Sequence, residues 1–92
     1  MNIEKIKQKW ENQGLICELY ELPSQESWSD KGHKTDEYFI LLEGEIEVTC
    51  QDKIFNLDIG KEIMIPAKEP HIVKNNGSKV SKVLWMHYPN FA

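Results

Sequence analysis

From residue 37 onward, turn signals cut this chain about every eight to twelve residues, and the segments between them have the composition of short strands. "EYFILLE" stops at Gly44, "QDK" separates "EIEVTC" from "IFNL", "DIG" turns at Gly60, and "EIMI" runs into Pro66. "HIVKN" then leads into "NNGS", and "KVSKVLWMHY" makes the last strand. Within "EIEVTC" the alternation is strict: Ile46, Val48 and Cys50 share one face, and Glu45, Glu47 and Thr49 share the other. Regular short strands of this kind predict an all-β sandwich or barrel.

The first residues differ. Ile3, Ile6 and Trp10 recur at spacings of three and four among lysines and glutamates, which predicts one short amphipathic helix ending near Gly14. "LICELYEL" follows as a strand closed by Pro23, and the polar stretch from Pro23 to Lys34 has loop composition. The expected organisation is a helical extension over residues 1–14 and a single barrel domain over 15–92, since 92 residues suffice for one core.

Charge narrows the function classes. A net charge of -4 and the lack of any basic run argue against a nucleic-acid partner. All eleven cations are lysine, so no bidentate guanidinium clamp for phosphate or carboxylate exists. The charged N-terminus does not resemble a signal peptide, and no apolar run approaches membrane-spanning length, so a cytoplasmic protein without a membrane partner is expected. Cys17 and Cys50 lack metal-type spacing and read as reduced, small apolar fillers.

The chemistry concentrates at the start of "EYFILLE". By parity Glu37, Phe39 and Leu41 share one face, and Tyr38, Ile40 and Leu42 share the other. Both faces are apolar, so one should line the barrel and the other should pack on a second layer or another subunit. A carboxylate on the interior face is costly unless paired, protonated or bound to metal. His33 precedes Glu37 with three residues between them, and Glu37 precedes Gly44 with six between. Downstream, Gly60, Pro66, His71 and Asn75 stand at intervals of six, five and four.

These spacings resemble the two motifs of the cupin family, over the segment from Trp28 to Tyr88. The resemblance implies a small cupin-type β-barrel (a double-stranded β-helix, or jelly roll), often dimeric. It also implies that His33, Glu37 and His71 hold a divalent metal such as Fe, Mn, Ni or Zn. Two imidazoles and one carboxylate form the facial set suited to Fe(II), with open positions for substrate and O₂. Two positions depart from the pattern. Lys68 stands where the second motif has a glycine, and Lys31 stands where the first motif has another histidine. A lysine ammonium ~4 Å from the ion would cost of order 4 kcal/mol per unit charge at an effective dielectric of about 20. Unless Lys31 points to solvent, the metal would be weakened. In a metal-dependent enzyme Lys31 is the candidate catalytic residue, as a substrate-side cation or, if desolvated, a general base.

Three functions follow as expectations. The first is a metal-dependent oxygenase or isomerase acting on a small molecule in the barrel. The second is a metal-free small-molecule-binding or sensor barrel in which His33 and Glu37 simply pair. The third is a structural homodimeric module that buries Ile40, Leu42 and "LICELYEL" at a twofold interface. Trp28 reads as a packing residue, with capping of the barrel mouth as the alternative. His87, if "NNGS" makes a tight hairpin, lies five residues along the ladder from His71, on the order of 16 Å away. It then reads as a satisfied strand-end histidine.

Overall fold

The computed structural model describes residues 2–91. A single helix, α1 (Ile3–Glu11), is followed by eight strands: β1 (Ile16–Leu22), β2 (Ser27–Asp30), β3 (Glu37–Glu43), β4 (Glu47–Cys50), β5 (Lys53–Asn56), β6 (Glu62–Ile65), β7 (His71–Lys74) and β8 (Ser81–His87). The strands form two four-stranded antiparallel sheets, ordered β1-β8-β3-β6 and β2-β7-β4-β5. This is a jelly-roll barrel with one short helix, as the sequence predicts. Met1 and Ala92, the outer ends of the expected extension and barrel spans, lie outside the described residues.

Between the sheets sit Leu22, Phe39, Leu41, Ile46, Val48, Cys50, Ile65, Val73 and Val83, all buried. The alternation in "EIEVTC" is thereby realised, with Ile46, Val48 and Cys50 inward. Gln51 and Asp52 both take positive φ, 54° and 61°, the backbone that a two-residue hairpin between β4 and β5 requires.

Both faces of β3 are covered. Phe39 and Leu41 enter the core between the sheets. Ile40, with Leu84 and Met86 of β8, packs on the opposite side against Trp10 of α1 and Leu15. The rings of Trp10 and Tyr38 are 4.6 Å apart. The chain's own helix is therefore the second layer; it covers Ile40, while Leu42 is partly buried against the same cluster. Asn2 starts α1 as its N-cap, its side chain accepting from the Lys5 N–H. Among the described residues, no helix is long and apolar enough to cross a membrane.

Two local expectations fail. The polar stretch from Pro23 to Lys34 contains β2, where Ser27 and Ser29 face out while Trp28 and Asp30 turn in. Four residues with one apolar member carry too little periodicity to be read as a strand. Likewise "NNGS" does not close a hairpin, because β7 pairs with β2 and β4 whereas β8 pairs with β1 and β3. The segment crosses from one sheet to the other. Asn75, wholly buried, pins this crossover by donating to the Leu22 and Lys79 carbonyls and accepting from the Gly77 N–H.

Candidate functional site

At one end of the barrel the two sheets present polar side chains to each other. Glu37 opens β3 on its inward face, directly beside His87 of β8 and Ile65 of β6. On the facing sheet Asp30, His71 and Cys50 lie in one row across β2, β7 and β4. His33 reaches in from the loop after β2. The motif resemblance named His33, Glu37 and His71, and the fold brings all three together.

Glu37 is the centre. It is 1% exposed, Oε1 lies 2.7 Å from His71 Nε2, and Oε2 lies 3.0 Å from His33 Nε2. Apart from these two imidazole nitrogens, neither oxygen meets a hydrogen-bond donor. A buried carboxyl group with so few donors needs a paired positive charge, a bound cation or a proton of its own.

His71 can supply that charge. Its Nδ1 lies 3.1 Å from the Glu69 carbonyl oxygen, which can only accept, so Nδ1 carries a hydrogen. Nε2 then faces Glu37 either with a second proton or with a bare lone pair. Burial of the ring is the largest influence on its pKa and lowers it. The Glu37 hydrogen bond, the Glu69 carbonyl and the charges of Glu37 and Asp30 act in the other direction, and the net shift is upward. Nε2 therefore holds a proton more readily than a free imidazole does.

Lys31, the candidate catalytic residue, is exposed and is not among the residues that line the cavity at this end. Asp30 is, with its Oδ2 3.0 Å from His33 Nε2. Sequence reading missed Asp30 because the strand that aims it was read as loop. Asp36, expected to be a solvent or turn residue, accepts from the Ala67 N–H at 2.8 Å and ties the start of β3 to the loop after β6.

The cavity holds about 240 Å³. Asp30, His33, Glu37 and His71 form its polar end, and Tyr20, Trp28, Phe39 and Trp85 form an aromatic wall. Trp28 both packs and lines: its ring centroid is 5.6 Å from that of Tyr20, which is 5.8 Å from Trp85. Phe91 closes on this group, 4.8 Å from His33 and 4.4 Å from His87. The Lys34 N–H donates to the Phe91 carbonyl at 2.7 Å and holds the chain's last turn there.

His87 is a satisfied histidine, as expected, but not a remote one. It is 2% exposed, with Nδ1 3.1 Å from the Tyr88 carbonyl and Nε2 3.1 Å from Glu18 Oε1. Glu18 also accepts from the Tyr20 hydroxyl, and that bond first, with the His87 contact second, holds the Glu18 carboxyl below its usual range. Tyr20 and Glu18 thus connect the aromatic wall to His87. Burial pushes up the Cys50 thiol, which stays protonated beside this end of the barrel.

Does the donor set fit a metal ion? Among the described residues, no three His, Cys, Asp or Glu side chains are spread around an open point of ionic size, because their donor atoms close on one another. The chemistry of the set nevertheless suits a dication. Carboxylates and imidazoles are its ordinary ligands, the Glu37 oxygens lack other donors, and Nδ1 of His71 is engaged by a backbone carbonyl, as in metal-ligating histidines.

Comparison with known proteins bears on the family. A family model described as the cupin domain matches residues 18–87. An uncharacterized protein of Methanocaldococcus jannaschii is 32% identical over 62 residues, 67% of this chain and 50% of that protein. The chain thus spans half the length of this curated relative. Among solved structures, the cupin domain of an XRE family transcriptional regulator from Enterobacter cloacae superposes with a TM-score of 0.74 at 18% identity, covering 86% of each chain. The FeII form of HppE in complex with substrate gives 0.71 at 20% identity, covering 83% of this chain and 47% of that one. At these identities the structural likeness is one of fold.

Proposed function

The chain belongs to the cupin domain family, and from that premise we propose that it binds a divalent metal through His33, Glu37 and His71 and a small molecule in the adjoining cavity. The observation that carries the proposal is Glu37: a carboxylate 1% exposed, with an imidazole nitrogen from a separate part of the fold 2.7–3.0 Å from each oxygen. The likeness to FeII HppE supports iron as one of the ions to test, beside Mn, Ni and Zn. When bound, a dication supplies Lewis acidity, and iron supplies redox chemistry as well. Oxygenase or isomerase chemistry on a small molecule is the class such a centre serves.

The chain's own residues set the terms for that ligand. Tyr20, Trp28, Phe39 and Trp85 offer an apolar wall, and Glu37 behind it, 1% exposed, acts in a low dielectric. With no arginine in the chain and Lys31 off the cavity, a ligand anion has no cation to meet except the imidazoles or the ion itself. His71 holds or releases a proton at Nε2, the atom that faces Glu37. Free Cys17 and Cys50 fit a reducing compartment, and the proposal sets the protein in the cytoplasm. Exposed Ile16 and Leu19 on β1, an edge strand, offer a homodimer a surface.

A second reading has its own support. The imidazole–carboxylate contacts already form a closed network without an ion, which suits a metal-free ligand-binding barrel. Elemental analysis of protein purified without added ions separates the two. The metal reading expects about one divalent ion per chain in the wild type and none in His71→Ala. Absence of binding to Fe, Mn, Ni, Co and Zn overturns it. A ligand-dependent rise in melting temperature that survives chelator then supports the metal-free barrel.

A further inference from the structure

We propose that Asp30 is the fourth protein donor of the metal site, taking over from the adjacent position the role that Lys31 cannot fill. The proposal rests on the metal-binding reading of His33, Glu37 and His71 and adds a residue to it.

Strand parity makes the exchange. Along β2, Ser27 and Ser29 are exposed, Ser29 at the edge of the cavity, while Trp28 and Asp30 are half-buried against the barrel. Continuing the alternation sends Lys31 outward, where it is exposed. The residue one position earlier therefore faces the site. Its side chain is 33% exposed, at the rim, and Oδ2 lies 3.0 Å from His33 Nε2.

The Asp30 carboxylate is held in that orientation. Oδ1 accepts from the Gly32 N–H at 3.0 Å, which leaves Oδ2 directed at the histidine. Gly32 has φ 103°, and a Cβ there would stand 2.6 Å from the Lys68 carbonyl carbon, so the tight turn needs glycine. A backbone group that fixes one oxygen while the other faces the site is what orients a ligating carboxylate.

Asp30, His33, Glu37 and His71 are linked in sequence by contacts of 3.0, 3.0 and 2.7 Å. Two donors about 2.1 Å from one ion and at right angles to each other stand about 3.0 Å apart. The contacts are of that order, although the donor atoms close on one another and not on a common point. Glu37 itself points to a cation at this place, since it is almost completely buried and its oxygens meet no donor but the imidazoles. Two carboxylates offset a dication's charge in full. They also make a harder donor set than one carboxylate with three histidines, which narrows the advantage that Ni(II) and Zn(II) otherwise hold over Mn(II) and Fe(II).

The test is calorimetric titration of chelator-stripped protein with Mn(II) and Zn(II), for wild type, Asp30→Asn, Asp30→Ala, Asp30→His and Lys31→Ala. Circular dichroism establishes which variants are folded, and Co(II) absorption reports the ligand field. Asp30→Asn retains an oxygen for the Gly32 N–H and so keeps the turn. The expected result is a loss of about tenfold or more in Mn(II) affinity for Asp30→Asn and Asp30→Ala. Lys31→Ala should match wild type, and Asp30→His should raise the ratio of Zn(II) to Mn(II) affinity with a changed Co(II) spectrum. If wild type binds metal and Asp30→Asn binds within twofold of it with the same Co(II) spectrum, Asp30 is not a ligand and the three-residue site stands. If wild type binds none of these ions, the metal reading fails and this assignment with it.

Discussion

Replacing Asn75 tests whether the crossover between the sheets is what builds the site. Its amide donates to the Leu22 carbonyl at 2.9 Å and to the Lys79 carbonyl at 2.7 Å, and accepts from the Gly77 N–H at 2.8 Å. The side chain is 0% exposed, so water cannot replace these bonds. At about 1 kcal/mol net for each, and with buried acceptors left unpaired, Asn75→Ala should lose about 3–4 kcal/mol. For a small domain that is a large part of a total stability of about 5–15 kcal/mol. Asn75→Asp should be worse at neutral pH, because an acceptor-only carboxylate would face two carbonyl oxygens. It should recover partly below about pH 4, where the protonated acid can donate once more. Urea unfolding followed by tryptophan fluorescence measures both. With a slope of about 1–1.5 kcal/mol per molar, the Ala variant's midpoint should fall by about 2–4 M. A loss under about 1 kcal/mol for Asn75→Ala, or an Asp variant as stable as wild type at pH 7, would refute the claim that this amide holds β7 and β8 in their separate sheets.

Other perturbations follow from the same structure. Lys68 takes φ 67° with a side chain, at a cost of about 1–2 kcal/mol, so Lys68→Gly should gain about 0.5–1 kcal/mol after glycine's entropy is charged against it; urea midpoints will show the sign. Trp10→Ala should cost about 3–5 kcal/mol by uncovering Ile40, Leu84 and Met86, and an increase in dye binding to exposed apolar surface should accompany it. Glu18 has a folded-state pKa below its unfolded value, first through the Tyr20 hydroxyl and second through His87. Its contribution to stability should therefore be full above the unfolded carboxylate value of about 4.3 and fade as pH falls through the lower folded one. Comparing Glu18→Gln with wild type across pH 2.5–7 (a range set about that value) checks this: the gap should narrow on acidification, and a constant gap would show that the carboxylate charge is irrelevant.

Much of this architecture was legible locally. Apolar residues on both faces of β3 required two buried layers, and α1 and the facing sheet are those layers. Turn residues at Gly44 and Gly60 ended strands where they were expected, both with positive φ. Motif resemblance grouped His33, Glu37 and His71 correctly: Glu37 and His71 open strands at the same end of the barrel, and His33 reaches them from the loop between β2 and β3. Lys68 also falls where its motif has glycine, and its positive φ shows what that position demands.

What the chain order could not reveal was partnership. Alternation says which residues share a face of a strand, but not which strand lies beside it. Adjacent in sequence, β7 and β8 lie in opposite sheets, which sets His87 beside Glu37 instead of far up a hairpin. Parity also changes sides with a shift of one residue. Once β2 is recognised as a strand, Asp30 turns inward, Lys31 turns out, and the place that looked lost to a cation is occupied by a carboxylate. Local periodicity and spacing are properties of the chain itself, so the sequence determined most of the strands and turns, and its motif resemblance named three of the clustered residues. Pairing and facing depend on how two sheets close over one core, and only the tertiary structure decided the fourth.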